Sequence, residues 1–599
     1  MRFCPGIFLA VCFLLRLAPF PAAADVSNIV VEVEAASLAA DGGRSLLRDL
    51  PGARLRGQGV GDPQADISIR GSSFSNAGLL LNGVAVRNAQ TGHWNADLPL
   101  PPGWFRAPAV LTGLDRFRAS SGHPSGSISL ELAPLLQDSR EVMLGAGGKG
   151  LSRGEWNAAE VSEDNGGMFG ASACLSFYDT DQTDRRGDNH LTRAETGGRL
   201  GACGGGWQGD LLAAASWREF GARGFYGADP SYPALERRRD TLLAGSLRFT
   251  GDPRAPAAVS ALWRRTDDDY WLDRDRRDFY HNQHTADFAG VHGDRRLPIG
   301  EGFFTDLRGD GDFERVRSRS LGDHERAHAS LAVLPGVAIG RFIITAGGSF
   351  DAFSAYSPAW LPAAGIEWEF AEAQAVFVSY AGAARQPSYT ELNYESPDSL
   401  GDAGLGLQRT RAAEAGYRGE NGAAMWKIAF FREEGEDLVD WVKAARGARW
   451  TAVNLSEVRT SGIAGEGRVA VSRDTDFGMD LVAVRKDSAR DYPASRYVMD
   501  YPELDAVAAL RHRLGRGLMV MLRQGVSKYA GNALRGDGDW MLDTALDVRW
   551  RPPRHKRITI NAGVQNLFDD DFQVYAGQRR AGVSFHMAVT YNWGAAPLH

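Results

Sequence analysis

Val583-Ser584-Phe585-His586-Met587-Ala588-Val589-Thr590-Tyr591-Asn592-Trp593 alternates without a break between apolar or aromatic side chains and small or polar ones. Successive side chains of an extended chain point to opposite faces. Val583, Phe585, Met587, Val589, Tyr591 and Trp593 therefore share one face, and Ser584, His586, Ala588, Thr590 and Asn592 the other. The same period recurs just upstream. Ile558, Ile560, Ala562 and Val564 alternate with Thr559, Asn561, Gly563 and Gln565, while Trp540, Leu542, Leu546, Val548 and Trp550 stand opposite Asp543, Asp547 and Arg549. A soluble β-sandwich also alternates. These segments, however, run to about ten residues, the length of a tilted membrane-spanning strand and more than a sandwich strand usually has. Their polar faces also carry full charges, which a core between two sheets would not accept. The pattern predicts a membrane β-barrel with lipid outside and water inside.

Working outward, similar strands begin near residue 140, as in Leu243 to Phe249, Val376 to Tyr380 and Trp426 to Phe430. Long polar connections, Thr180 to Thr192 and Arg264 to His284, separate some of them. At roughly 20 residues per strand plus connection, the stretch 139–593 holds about 22 antiparallel strands. Composition agrees: 71 glycines in 599 residues suit a turn-rich β protein, and 15 Trp with 16 Tyr can supply aromatic girdles. A net charge of −7 argues against a nucleic-acid partner. Residues 1–24 read as a secretory signal: Arg2, an apolar run from Ile7 to Leu17, then Ala22-Ala23-Ala24 before Asp25. Cys12 sits in a faint lipoprotein-like pattern with a poorly suited Val11. Removal of the leader would leave Cys174 and Cys203, either a disulfide or two free thiols.

Residues 25 to about 135 lack sustained alternation and mix apolar segments, turns and short strands. About 22 strands spaced about 4.8 Å and tilted about 45° give a backbone diameter of about 47 Å, and a lumen of roughly 35–38 Å once side chains are counted. A compact domain of about 110 residues is about 34 Å across. It would fill the bore.

Asp66-Ile67-Ser68-Ile69-Arg70-Gly71, Leu79-Leu80-Leu81-Asn82-Gly83-Val84 and Gln90-Thr91-Gly92-His93-Trp94-Asn95-Ala96-Asp97-Leu98-Pro99 resemble the plug of TonB-dependent receptors, and Gly122 to Leu132 resembles its closing strand. Ala384 to Leu392, Glu414 to Tyr417, Trp450 to Leu455 and Asn566 to Asp569 are similar to the family's barrel signatures and come in the right order over nearly the whole chain. The resemblance implies an all-β transmembrane barrel with an N-terminal mixed α/β plug in the lumen of the outer membrane of a Gram-negative cell. It divides the chain into signal (1–24), TonB-box-like segment (25–36), plug (37–135), barrel (139–593) and tail (594–599). It also implies a periplasmic TonB-type energy transducer as partner, with Asn28, Ile29, Val30, Val31, Glu32 and Val33 as the segment that would add a strand to its sheet edge. The plainer reading of that segment is the plug's first strand. Two departures stand out. Ala107 to Leu114 replaces the family's usual Arg-Ile-Glu-Val-Leu-Arg-Gly-Pro, which leaves the plug's charged anchoring open, and the chain runs past Trp593 to His599.

The function implied is import of a scarce, large nutrient of the cobalamin or ferric siderophore class by a monomer surrounded by outer-membrane lipid. The alternatives are a barrel enzyme or adhesin with a structural N-terminal domain, and a passive porin. Ligand is expected at the plug's outward apices: Ser73, Phe74, Asn76, Thr91, His93, Trp94 and Asn95. For His93 and Trp94 the competing reading is packing of the plug tip. Asp179, Asp181 and Asp184 form an oxygen-rich loop suited to calcium, which Asp267, Asp268 and Asp269 could join from a second loop; a solvated loop is the other reading. No other cofactor is implied, and no catalytic motif such as Gly-x-Ser-x-Gly or His-Glu-x-x-His occurs.

Overall fold

The computed structural model describes residues 47, 50–57, 63–181, 189–227, 231–445, 447–490, 492–532, 534–535, 538–575 and 578–593. The leader, the segment Asn28 to Val33, Asp184 and the tail 594–599 lie outside the described residues.

Twenty-two antiparallel strands, from Ser139–Gly147 to Ser584–Asn592, close into a barrel. The last strand pairs with the first, Met587 opposite Ala146 and Tyr591 opposite Val142, so the sheet has no free edge. The alternation behaves as its chemistry requires. Phe585 and Met587 are 63 and 53 % exposed on the outside, while His586 and Ala588 are 3 and 1 % exposed inside. Among the described residues no helix is long and apolar enough to cross a membrane. At one end the strands join through tight turns such as 165–166, 340–341 and 516–517, and at the other through long loops such as 222–234, 386–407, 489–501 and 566–583. Asn165 (φ 50°) and Gly166 (φ 77°) make one of the tight turns, with the two left-handed residues that a two-residue hairpin favours. Long loops mark the outer surface in barrels of this kind.

Two sequence expectations need correction. The C-terminal strands are near ten residues, 11 in Trp540–Trp550, 8 in Ile558–Gln565 and 9 in Ser584–Asn592, but that length does not hold for the whole barrel: Ala424–Lys443 has 20 and Trp450–Ser472 has 23. Arg264 to His284 is not one loop, because Ala257–Trp271 and His281–Pro298 are strands and only 272–280 connects them. The reason is common to both. Strands that rise above the lipid carry charges on their outer face too, so their composition imitates a loop. Cys174 and Cys203 are free thiols; Cys174 lies opposite Gly197 and Cys203 opposite Met168, several residues further along the same strand pair.

The plug contains a four-stranded mixed sheet, in the order Val84–Ala85, Ala77–Leu81, Gly126–Leu130, Ala109–Leu111, with the two central strands parallel. A separate hairpin pairs Ala53–Arg56 with Asp66–Ile69, and a helix spans Gly113–Ala119. Leu79, Leu81, Ile128 and Leu130 bury against Ile67 and Ile69, and this core continues onto Leu212, Leu242, Leu262 and Phe288 of the barrel wall. The helix inserts Phe117 among Ala332, Leu334, Leu361 and Ala381. Plug and wall thus share apolar cores on two sides of the lumen.

Candidate ligand-binding site

At the loop end of the lumen, the plug's outward turns meet residues from seven barrel segments around a cleft with about 810 Å³ of empty space, its mouth included. The plug contributes Phe74 from the 3-10 turn Phe74–Asn76, and His93 and Trp94 from the 3-10 turn Gly92–Trp94. Thr91 caps the second turn by accepting the His93 N–H at 3.4 Å. Phe74 and His93 stack with ring centroids 3.8 Å apart, and Tyr497 from the 489–501 loop meets both rings edge-on. Tyr226, Tyr394 and Trp441 add aromatic faces from three other segments.

Polar partners fix these rings. His93 Nδ1 lies 3.0 Å from both oxygens of Asp66, which also accepts from Tyr575 Oη at 2.7 Å. Burial is the chief cause that lifts the phenols of Tyr226, Tyr394, Tyr497 and Tyr575 above the usual range, Tyr497 to about 12, and acidic neighbours add to it for Tyr226, Tyr497 and Tyr575. All four present neutral hydroxyls. Glu391 is claimed by Arg385 (Nη1 to Oε2, 3.0 Å) and closes a capping box with Ser388, which holds the helix Tyr389–Asn393 at the rim. Arg496 also lines the cleft, its guanidinium over Trp450 and Tyr497.

Of the residues singled out in the sequence, Phe74, Thr91, His93 and Trp94 line this cleft. Trp94 is only 1 % exposed, with Arg238 over its ring at 4.7 Å, so packing takes most of its surface. Ser73, Asn76 and Asn95 are not among the lining residues. Ser73 is buried, Asn76 Oδ1 accepts from Gln408 Nε2 at 2.6 Å, and Asn95 Oδ1 accepts the Asn88 N–H at 3.1 Å. Asp179 accepts from Thr192 Oγ1 at 2.6 Å and the Asp181 N–H is bonded to the Lys149 carbonyl. Among the described residues no group of three or more acidic, His or Cys side chains is placed to hold a metal. Sequence reading missed Tyr226, Glu236, Tyr394, Trp441 and Tyr497, which lie far apart in the chain and carry no local motif. Asp268 had a usable signal: in Asp267-Asp268-Asp269 strand parity turns only the middle residue inward, and it is 4 % exposed.

The anchoring left open by Ala107 to Leu114 is supplied elsewhere. Arg70 forms a two-pronged bond with Glu414 (2.8 and 3.0 Å). Arg116 donates to the Gly382 carbonyl at 3.1 Å, and burial, partly offset by Glu433, brings its guanidinium down to about 10. Asp97 accepts from Arg218 at 2.8 Å and Arg238 at 2.5 Å, and Arg264 donates to the carbonyls of Trp94 and Asp97 at 3.1 Å. In the turn Asn82-Gly83 the backbone runs so close to the wall that a Cβ on Gly83 (φ +90°) would lie 2.4 Å from the His292 ring.

A sequence profile described as TonB dependent receptor-like, beta-barrel matches residues 175–567. The vitamin B12 transporter BtuB of Vibrio vulnificus (strain YJ016) is 22 % identical over 217 residues, which are 35 % of this chain and 32 % of that protein, so the matched stretch spans about a third of the relative's length. Among solved structures, a variant of the ferric enterobactin receptor PfeA of Pseudomonas aeruginosa superposes with a TM-score of 0.75 at 13 % identity, covering 96 % of this chain and 100 % of that one. The FrpB iron transporter of Neisseria meningitidis gives 0.74 at 12 %, covering 94 and 99 %. The structural likenesses are of fold alone; the profile, which takes in most of the barrel, is of sequence. On that match the chain belongs to the TonB-dependent receptors, and its barrel spans the outer membrane.

Proposed function

We propose that the protein binds a scarce, large nutrient of the cobalamin or ferric siderophore class in the cleft above the plug and imports it actively. The observation that carries this reading is the placement of an aromatic-lined cleft directly on the outward turns of a domain that stops the bore. A ligand seated there touches both the loops and the element that must move. The outer membrane has neither a nucleotide supply nor a sustained ion gradient, so the work would come from a periplasmic TonB-type partner gripping Asn28 to Val33. Backbone pairing by strand addition suits that segment's β-prone sequence. The barrel would act as a monomer in lipid.

Deletion of residues 28–35 tests the coupling. Ligand binding at the cell surface is expected to persist while uptake disappears; uptake that survives the deletion overturns it. The intact protein in planar bilayers is expected to conduct few ions, since the plug fills the lumen, whereas porin-like conductance would overturn the import reading.

A further inference from the structure

Glu236 and Asp268 stand on neighbouring strands on the wall of the cleft, 0 and 4 % exposed. Their carboxyls line the same cleft from offset register positions, Asp268 opposite Arg238 and Glu236 opposite Tyr270. Each spends one oxygen on a neutral donor. Tyr226 Oη donates to Glu236 Oε2 at 2.8 Å, and Gln90 Nε2 from the plug to Asp268 Oδ2 at 3.2 Å. The remaining oxygens, Glu236 Oε1 and Asp268 Oδ1, and the amide oxygen of Gln90, itself 6 % exposed, have no protein donor. Buried acceptors in this state are costly and call for a donor from outside. The nearby Arg238 gives its Nη2 to Asp97 and its Nε to Asp240, while its Nη1 has no hydrogen-bond partner among the described residues. Arg496, the other cation of the cleft, is held over Trp450 and Tyr497.

We infer that the wall formed by Gln90, Glu236 and Asp268 recognises a cationic, hydrogen-donating group on the transported ligand, so that the protein selects chelates or corrinoids bearing an ammonium-type group over neutral ones and neutral ones over anionic ones. This rests on the import reading above, since it specifies what the same cleft receives. The aromatic rings would hold the bulk of the ligand while the cationic group donates to the open oxygens of Glu236, Asp268 and Gln90. A charge-assisted contact of this kind is worth about tenfold or more in affinity.

The test uses the full-length protein in detergent and matched ligand pairs. Ferrioxamine B, a ferric tris-hydroxamate with a pendant ammonium, is compared with the neutral ring-closed ferrioxamine E; cyanocobalamin is compared with its 5′-aminoalkyl derivative; a ferric tris-catecholate supplies the anionic arm. In the pair whose body fits, the cationic member is expected to bind about tenfold tighter than the neutral one, with the anionic chelate weakest. Glu236→Gln combined with Asp268→Asn should bring the cationic-to-neutral ratio to near one, with Gln in place of Glu preserving shape and heat-modifiable gel mobility checking the fold. A preference for neutral or anionic members, or a ratio unchanged in the double variant, overturns the inference and leaves the import reading standing. Failure of every ligand to bind overturns the import reading and the inference with it.

Discussion

The lipid-facing belt and the lumen are built from the same strands, one residue in two each, yet they follow opposite rules. Along Gly322–Ile339, Leu331 and Val333 face outward at 59 and 40 % exposure, while Ala332 and Leu334 between them are 1 and 2 % exposed against the plug helix. The outer face asks only for apolar side chains, because fluid acyl chains adapt to any shape. The inner face asks for particular residues, because each arginine or carboxylate must find its partner inside a filled bore. The belt is defined by a class of residue and the lumen by pairs.

The largest expected effect comes from breaking such a pair. Asp97→Ala removes the acceptor shared by Arg218 and Arg238 at full burial, and is expected to cost about 3–5 kcal/mol. Urea unfolding of the purified protein in detergent reads this as a lowered midpoint. Next comes an offence against the belt. Leu331→Arg places a charge near the middle of the apolar band and is expected to cost about 2–4 kcal/mol, seen as poorer folding into lipid vesicles. If Asp97→Ala proves milder than Leu331→Arg, the lumen owes its order to apolar contacts with the plug and not to its ion pairs.

The same contrast governs what could be read before the fold was known. A rule of class shows itself in a run of about ten residues, so Val583 to Trp593, together with the alternating segments upstream and the charges on their polar faces, predicts the barrel. A rule of pairs does not, since Arg70 finds Glu414 across 344 residues and Gln90 finds Asp268 across 178. The plug turns bearing Phe74, Thr91 and His93 were legible because they lie together in the chain; Tyr226, Tyr394 and Tyr497, which complete the cleft, come from three separate loops. Where strands leave the lipid the rule of class lapses, and Arg264 to Trp271 passed for a loop.

A smaller effect probes the plug itself. His123 is wedged against Gly78, 4 % exposed, its Nδ1 3.0 Å from Ser127 Oγ. Burial first, then the nearby Arg87 and Arg116, hold its imidazole well below the ordinary 6.5. The folded protein therefore keeps His123 neutral while the unfolded chain takes up a proton below pH 6.5, so stability falls as pH drops below that value. The slope is at most about 1.4 kcal/mol per pH unit. His123→Gln is expected to remove this component of the acid dependence between pH 6.5 and 5, whatever it does to the absolute midpoint. An unchanged slope would show that the imidazole accepts a proton within the folded plug.

The smallest effect is the most direct test of the belt's rule. Val291 is 57 % exposed and shares a shallow apolar concavity with Leu200, Leu211, Leu243 and Phe313. If acyl chains fill it, Val291→Leu adds a methylene to a fluid surface and stability should stay within about 0.5 kcal/mol of the parent. A rigid protein partner packed there would resist the same methylene, and overpacking of that kind costs about 1–3 kcal/mol. Unfolding in vesicles, repeated over a range of protein-to-lipid ratios, separates the two. Lipid gives a small shift at every ratio, whereas a second copy gives a cost that grows as the protein is concentrated. A cost of that form would place Val291 under the lumen's rule of pairs and end the view of this barrel as a monomer.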